Sequence, residues 1–316
     1  MNFDGGYATV PDYIIGITRR IWEERGVNLI RRWYAEDCVM HTPLGDVHGV
    51  EAVVSGTLET LQTFPDRRLL PEDVIYSEGE GEAAYSSHRI VSTQHHWGEG
   101  AFGPATGRSI WARTVADCRI ERGVIVEEWL VRDQAAIALQ VGLDPRELGA
   151  RNADALAWAG KGVPTPGPVE DAAADHDGRG GGCAALMRRV LQDADLAAIR
   201  TECDEAVNLH LPTGRSAFGH DGFDAWAIGL SSAFPGARVG VEHVIARADP
   251  GRAERVALRW RLVGTHAGRG AFGPPSGARI SVLGITHFEL VAGRIVRAFI
   301  LVDELAIWTA IALHRG

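Results

Sequence analysis

What this chain lacks narrows its function first. Its four cysteines, Cys38, Cys118, Cys183 and Cys203, show neither a Cys-x-x-Cys spacing nor the density of a disulfide scaffold, which fits a reducing, cytoplasmic location. No stretch reaches about 18 uninterrupted apolar residues, so no membrane-spanning helix is expected. Met1 to Pro11 has no basic start followed by an apolar run, so no signal peptide is expected there. No basic cluster offsets a net charge of −9, which disfavours nucleic acid and anionic membranes as partners. No serine or cysteine sits in a nucleophile elbow, and no His-x-His or His-Glu-x-x-His spacing marks a metal site.

What is present is a duplication. With 316 residues, 46% of them hydrophobic, the chain has room for two domains with a core each. The stretch His96-Trp97-Gly98-Glu99-Gly100-Ala101-Phe102-Gly103-Pro104 recurs as His266-Ala267-Gly268-Arg269-Gly270-Ala271-Phe272-Gly273-Pro274. Each copy runs into a strand, a turn at Gly123 or Gly293, a second strand, and then Asp133 or Asp303. The offset is constant (266 − 96 = 303 − 133 = 170), and Phe64-Pro65 and Phe234-Pro235 keep it. One fold used twice is therefore expected. The domains span 1–145 and 183–316, joined by a helix and a Pro/Gly-rich linker over 146–182 that ends in a Gly-Arg-Gly-Gly-Gly run.

Within each copy, helical periodicity comes first and strand-like runs follow. In the first copy, helices are expected over 13–34 and 49–64. Strands follow over 69–76, 83–95, 108–120 and 124–132, and a closing helix over 134–141. That order is α+β, not alternating βαβ. Gly98-x-Gly100-x-x-Gly103 and its copy match the dinucleotide-binding pattern, but a proline follows at once and no helix opens there. A loop between antiparallel strands is the reading, and no cofactor is expected.

Taking Arg122-Gly123 as a two-residue hairpin turn places Trp129 opposite Ala116, Val131 opposite Thr114 and Asp133 opposite Ala112. Both aspartates then share a face with apolar and small residues, which raises a carboxyl pKa as a general acid/base requires. Glu128 and Arg132 fall on the other face, suited to water or a polar partner. A competing reading of Asp133 and Asp303 is helix N-capping. His96 and His266, which open the glycine loops, are candidates for holding loop backbone or for orienting a substrate carbonyl. His41, His210, Arg89 and Arg259 recur in both copies and, with Trp129 and Phe299, are candidate substrate contacts. Repetition gives these polar residues extra weight here. A metal site from His41, His88, His95 or His96 with Asp133 is disfavoured, because Leu258 and Thr265 stand at the positions of His88 and His95.

The loop Gly264-Thr265-His266-x-Gly268…Gly273-x-Pro275-Ser276-Gly277 with its strand, turn and Asp303 resembles the SnoaL-like polyketide cyclase (ester cyclase) family, within the nuclear-transport-factor-2-like superfamily. The ending Gly123-Val124-Ile125-Val126-Glu127-Glu128-Trp129…Asp133 and the segment Ala35-Glu36-Asp37-Cys38-Val39-Met40-His41-Thr42-Pro43 are similar too. The resemblance implies two tandem cone-shaped α+β barrels, helices packed on a curved antiparallel sheet around an apolar pocket. It also implies a pocket aspartate, Asp133 or Asp303, as acid/base for an aldol closure without metal or cofactor. The expected ligand is a small apolar carbonyl compound, turned over by a lyase or isomerase. The alternatives are a non-catalytic ligand-binding module, or epoxide-hydrolase or dehydratase-like chemistry using Asp117, Arg113 and Asp133. Members of this superfamily often pair through their sheets. The outward face of the second copy, expected to carry Leu283, Ile285, Ile300 and Val302, therefore points to an internal pseudo-dimer or a homodimer.

Overall fold

The computed structural model describes residues 3, 5–79, 83–162 and 178–315, so most of the expected linker lies outside the described residues. The chain divides into two units, Met1–Leu143 and Asp144–Gly316.

In the first unit, α1 (Val10–Trp22) starts where Thr9 caps it, its hydroxyl accepting the Asp12 N–H at 3.2 Å, with Pro11 in the first turn. Tyr13, Ile14, Ile17 and Ile21 fall on one buried stripe, as a period of 3.6 requires. A 3-10 turn (Val27–Leu29) and the short α2 (Ile30–Trp33) lead into β1 (Tyr34–Thr42) and β2 (Gly45–His48). Then come α3 (Val50–Thr63), β3 (Arg68–Glu78), β4 (Ala83–His95), β5 (Ser109–Glu121), β6 (Val124–Arg132) and α4 (Gln134–Val141). The strands form one six-stranded sheet in the order β2-β1-β6-β5-β4-β3. Neighbours are antiparallel except β1 and β6, which run parallel, so the sheet is not purely antiparallel as expected. β1 belongs to the helical front half of the unit and reaches β6 only by the long crossover through α3 and four strands. Local strand patterning carries no sign of such a pairing.

The second unit opens with α5 (Pro145–Trp158), which packs on α9 (Glu304–Arg315). Gly149 makes that contact possible: a Cβ there would lie 2.7 Å from the Trp308 Cβ. Next are α6 (Gly178–Leu191), α7 (Ala197–Glu202), β7 (Cys203–His210), β8 (Ser216–Phe218) and α8 (Gly219–Ala233). β9 (Arg238–Arg247), β10 (Glu254–Thr265), β11 (Arg279–Val291) and β12 (Arg294–Val302) complete a second sheet, ordered β8-β7-β12-β11-β10-β9. The Gly-Arg-Gly-Gly-Gly run is not linker but the start of α6. Gly180 lets that helix lie against β9, where a Cβ would come within 2.8 Å of Val244 Cγ1. Each unit is thus the expected α+β cone, with its sheet left open.

One irregularity decides which side chains face the helices. The turns Arg122-Gly123 and Ala292-Gly293 have positive φ at both residues (50° and 81°; 50° and 79°), the tight hairpin expected, and Glu121 does pair with Val124. Ile120 pairs with Ile125, but Arg119 then pairs with Glu127, so Val126 is an unpaired extra residue. Val296 repeats this bulge between Leu290↔Ile295 and Glu289↔Arg297. A bulge advances the strand by one residue, and in a sheet that turns every later side chain to the opposite face. Trp129 therefore pairs with Asp117, Leu130 with Ala116, and Arg132 with Thr114. The uninterrupted register expected from the sequence is corrected accordingly. Ile300 and Val302, expected outside, join the second unit's core, while Leu301 pairs with Ile285 on the outer face.

Candidate active site

The inner face of the first sheet is a ladder of three rows. Ser86, Cys118 and Glu128 form one row, His88, Ala116 and Leu130 the next, and Ile90, Thr114 and Arg132 the third. Residues two apart on each strand share this face. Together with Ile14, Ile17 and Ile21 of α1, Tyr34 and Met40 of β1, and Arg67, most of them line a hollow of about 80 Å³. Two chambers adjoin it. One of about 280 Å³, between α1, β3 and β4, shares Ile14, His88 and Ile90. The other, of about 650 Å³, is bounded by α3 and the Glu99–Phe102 loop, and shares Arg67 and Arg132.

The hollow is apolar in area but holds several ionisable groups. Glu128, 7% exposed, accepts a hydrogen bond from the Tyr34 hydroxyl at 2.9 Å. Burial pushes its carboxyl pKa up, opposed by the Tyr34 hydrogen bond and the positive charge of Arg132. The Tyr34 phenol is driven well above its usual value by burial and then by Glu128, so it remains a donor. Cys118 is raised by burial and by Glu128, which leaves it a thiol and not a nucleophilic thiolate. Burial lowers His88 to about 4, with Asp117 opposing, so the imidazole is neutral at pH 7. Arg67 falls to about 9 through burial and the neighbouring Arg132, and so stays charged at neutral pH.

The second unit carries the same ladder with different side chains. Its rows are Val256, Phe288, Ala298; Leu258, Thr286, Ile300; and Trp260, Gly284, Val302. All nine are buried. The Trp260 indole lies across Gly284, where a Cβ would stand 2.3 Å from its Cζ2, and its Nε1 donates to Thr286 Oγ1 at 3.0 Å. Where the first unit carries ionisable groups, these nine positions of the second carry hydrocarbon around one satisfied hydrogen bond. Glu128, Arg132, His88 and Arg67 correspond to Ala298, Val302, Leu258 and Ala237.

The residues singled out from the sequence sit elsewhere. Asp133 and Asp303 do not face the hollow: the bulge turns them to the outer face, and each caps the following helix. Asp133 accepts the Ala136 N–H at 3.1 Å and Asp303 the Leu305 N–H at 3.0 Å. The bulge also puts Asp133 on the same outer face as Asp117 and Arg113, where Arg113 donates to Glu72 at 2.8 and 2.9 Å. His96 and His266 hold the glycine loops shut. Their carbonyls each accept two N–H groups, Thr106 and Gly107 or Ser276 and Gly277. Their Nδ1 atoms meet Thr106 Oγ1 at 3.1 Å and Ser276 Oγ at 3.0 Å. Burial lowers both imidazole pKa values. Gly98 and Gly100 serve close approach to α3: a Cβ on Gly98 would meet the Gln62 carbonyl oxygen at 1.7 Å, and one on Gly100 the Thr63 Oγ1 at 2.0 Å.

His41 stacks on Trp129 with ring centroids 4.9 Å apart, and its nitrogens meet Asp46 and Glu127 at 2.8 and 2.9 Å. His210 stacks on Phe299 at 4.4 Å. Both pairs join the parallel strands in register. Arg89 bonds Glu72 at 2.9 Å, and Arg259 lies 3.4 Å from Glu242. Of these ten residues only Arg89 borders one of the three hollows, the chamber beside α1. Among the described residues, no group of three or more His, Cys, Asp or Glu side chains could hold a metal ion, and no helix is long and apolar enough to cross a membrane. Sequence reasoning missed Tyr34, Arg67, Glu128 and Arg132, and weighed His88 only as a metal ligand. Their signal was a charged or polar residue at a position whose duplicate is apolar.

Among solved structures, IdmH from Streptomyces antibioticus is 25% identical, covers 42% of this chain and 98% of its own, and has a TM-score of 0.36. A SnoaL-like protein from Jannaschia sp. CCS1 is 23% identical over 47% of this chain and 97% of its own, also with a TM-score of 0.36. AclR from Streptomyces galilaeus is 21% identical over 42% and 94%, again with a TM-score of 0.36. No curated protein matches. The family model for SnoaL-like polyketide cyclases matches residues 14–141 and again 183–311. The chain belongs to the SnoaL-like polyketide cyclase family, and carries its domain twice.

Proposed function

We propose that the first unit is a cofactor-independent acid/base enzyme of the cyclase type, acting on a carbonyl compound, and that the second unit does no chemistry. Glu128 takes a proton from the carbon next to the substrate carbonyl, and the electron pair moves onto the carbonyl oxygen. The resulting enolate attacks a second carbonyl of the same molecule, and the new alkoxide recovers the proton from Glu128. Nothing is oxidised or reduced. Tyr34 fixes the carboxyl, Arg132 supplies positive charge for the enolate oxygen, and neutral His88 offers a hydrogen bond. The apolar walls raise the affinity of Glu128 for a proton toward working pH, as a general base requires.

The observation that carries this reading is Glu128 itself, a buried carboxyl lining the hollow, where the second unit has the fully buried Ala298. The hollow is roughly half the ~150 Å³ that admits benzene, so only the reacting end of a larger molecule enters it and the rest occupies the adjoining chambers. The test is proton exchange in D₂O, followed by NMR, on a panel of aryl 1,3-diketones and 3-oxoacids with wild type and Glu128→Gln. Glutamine keeps an oxygen for Tyr34 but cannot carry the proton. Exchange should fall by roughly 10²–10⁴-fold. Equal rates in the two proteins would leave a binding module in place of an enzyme.

A further inference from the structure

Four arginines are deeply buried, Arg67, Arg89, Arg255 and Arg259. Three are ion-paired, Arg89 with Glu72, Arg255 with Asp249 and Arg259 with Glu242, each carboxylate being shared with a second arginine. Arg67, 3% exposed, has no carboxylate partner among the described residues, and its Nε has no hydrogen-bond partner. What it does have is the Trp22 ring, whose centroid is 5.0 Å from Cζ, and Arg132, a like charge. A buried guanidinium left this way is costly unless something else completes it.

The fold does not need the arginine. The matching position in the filled unit is Ala237, equally buried. Arg67 also stands where a ligand must pass, because its side chain borders both the inner hollow and the wider chamber of about 650 Å³. Of the charged groups lining the inner hollow, Arg67 and Arg132 are positive and Glu128 negative, while Glu59 and Glu99 line the wider chamber. A guanidinium presents two parallel N–H donors that match the two oxygens of a carboxylate.

We propose that Arg67 anchors a carboxylate carried by the substrate, so that this pocket takes an organic monoacid in preference to its ester. The carboxylate sits at the boundary of the two chambers, with Phe64 and Phe102 among the walls around the rest of the molecule. This rests on the hollow being the substrate site, but binding reports it separately from chemistry.

The experiment is calorimetric titration of the full chain with 2-naphthoate and with methyl 2-naphthoate, in wild type, Arg67→Ala, Arg67→Lys and Glu128→Gln. Wild type should prefer the acid by on the order of tenfold to a hundredfold, the range for hydrogen bonds to a charged group. Arg67→Ala, which installs the residue of the filled unit, should erase the preference, and Arg67→Lys should keep part of it. Glu128→Gln should bind the acid at least as well as wild type, so a failed exchange assay and a failed anchor are told apart. The proposal is overturned if wild type binds the acid no better than the ester, absence of binding included. It is also overturned if Arg67→Ala retains the preference, or if inorganic phosphate displaces the naphthoate at equal concentration.

Discussion

Replacing His88 by leucine should make the first unit more tolerant of acid, and the size of the effect can be worked out beforehand. His88 is 7% exposed on β4 and its pKa is lowered from 6.5 to about 4, chiefly by burial. In the unfolded chain the imidazole takes up a proton below pH 6.5; in the native chain it stays neutral until about pH 4. Native stability from this group is therefore intact above 6.5 and is lost as pH falls through that window. At about 1.4 kcal/mol per pKa unit, the full loss is about 3 kcal/mol, and about 2 kcal/mol of it has gone by pH 5. Leucine at the duplicate position, Leu258, is fully buried, so the fold accepts that side chain. Urea unfolding of wild type and His88→Leu at pH 7.5 and pH 5 isolates the term, because other titrating groups cancel in the difference between proteins. The gap between the two proteins should shift by about 2 kcal/mol in favour of the variant at pH 5. A gap that stays constant within about 0.5 kcal/mol would refute the claim that this imidazole is held neutral by its surroundings.

Glu128 works with the opposite sign. Its raised pKa stabilises the native state at low pH and that contribution is lost as pH rises, so Glu128→Gln should unfold at a higher temperature than wild type at pH 7 while losing proton exchange. Asp133→Asn and Asp303→Asn should leave the melting temperature and the exchange rate nearly unchanged, whereas Asp133→Ala should cost about 1 kcal/mol, the usual loss of a cap. Retained stability with lost exchange in Asp133→Asn would return that residue to the chemistry. Gly98→Ala should destabilise by about 1–3 kcal/mol in thermal unfolding, because the Gln62 carbonyl stands where the methyl would go. Trp260→Ala should cost about 3–5 kcal/mol by opening a void in the filled unit.

Much of the fold was legible in the chain. The duplication, the limits of β4, β6 and α4, the two-residue hairpins and the falsity of the glycine motif all follow from local pattern. These are short-range properties, fixed by periodicity, turn chemistry and a proline in the wrong place for a nucleotide loop. The parallel β1–β6 pairing was not legible, because it joins segments about 90 residues apart. The candidate site was not legible for two physical reasons. First, one extra valine turned β6 over, and Glu128 and Arg132, read as facing a polar partner, face the hollow. Second, repetition marks what the fold needs as readily as what a site needs. Residues kept in both units turned out to be those the fold needs twice: the aspartate caps, the histidines that close the loops, and the His–aromatic stacks. The polar groups lining the first unit's hollow are not repeated, as Glu128 against Ala298 and Arg67 against Ala237 make plain.

The bulges at Val126 and Val296 reach beyond this chain. Which side chains a relative shows its substrate depends on how many residues separate the hairpin from the last helix, not on their identity alone. Two sequences aligned without a gap there, one with the extra residue and one without, would appear to share an aspartate while presenting opposite sides of the strand to whatever they bind. Insertion or removal of a single codon at this point exchanges an entire set of wall residues in one step, a change that no series of single substitutions reproduces.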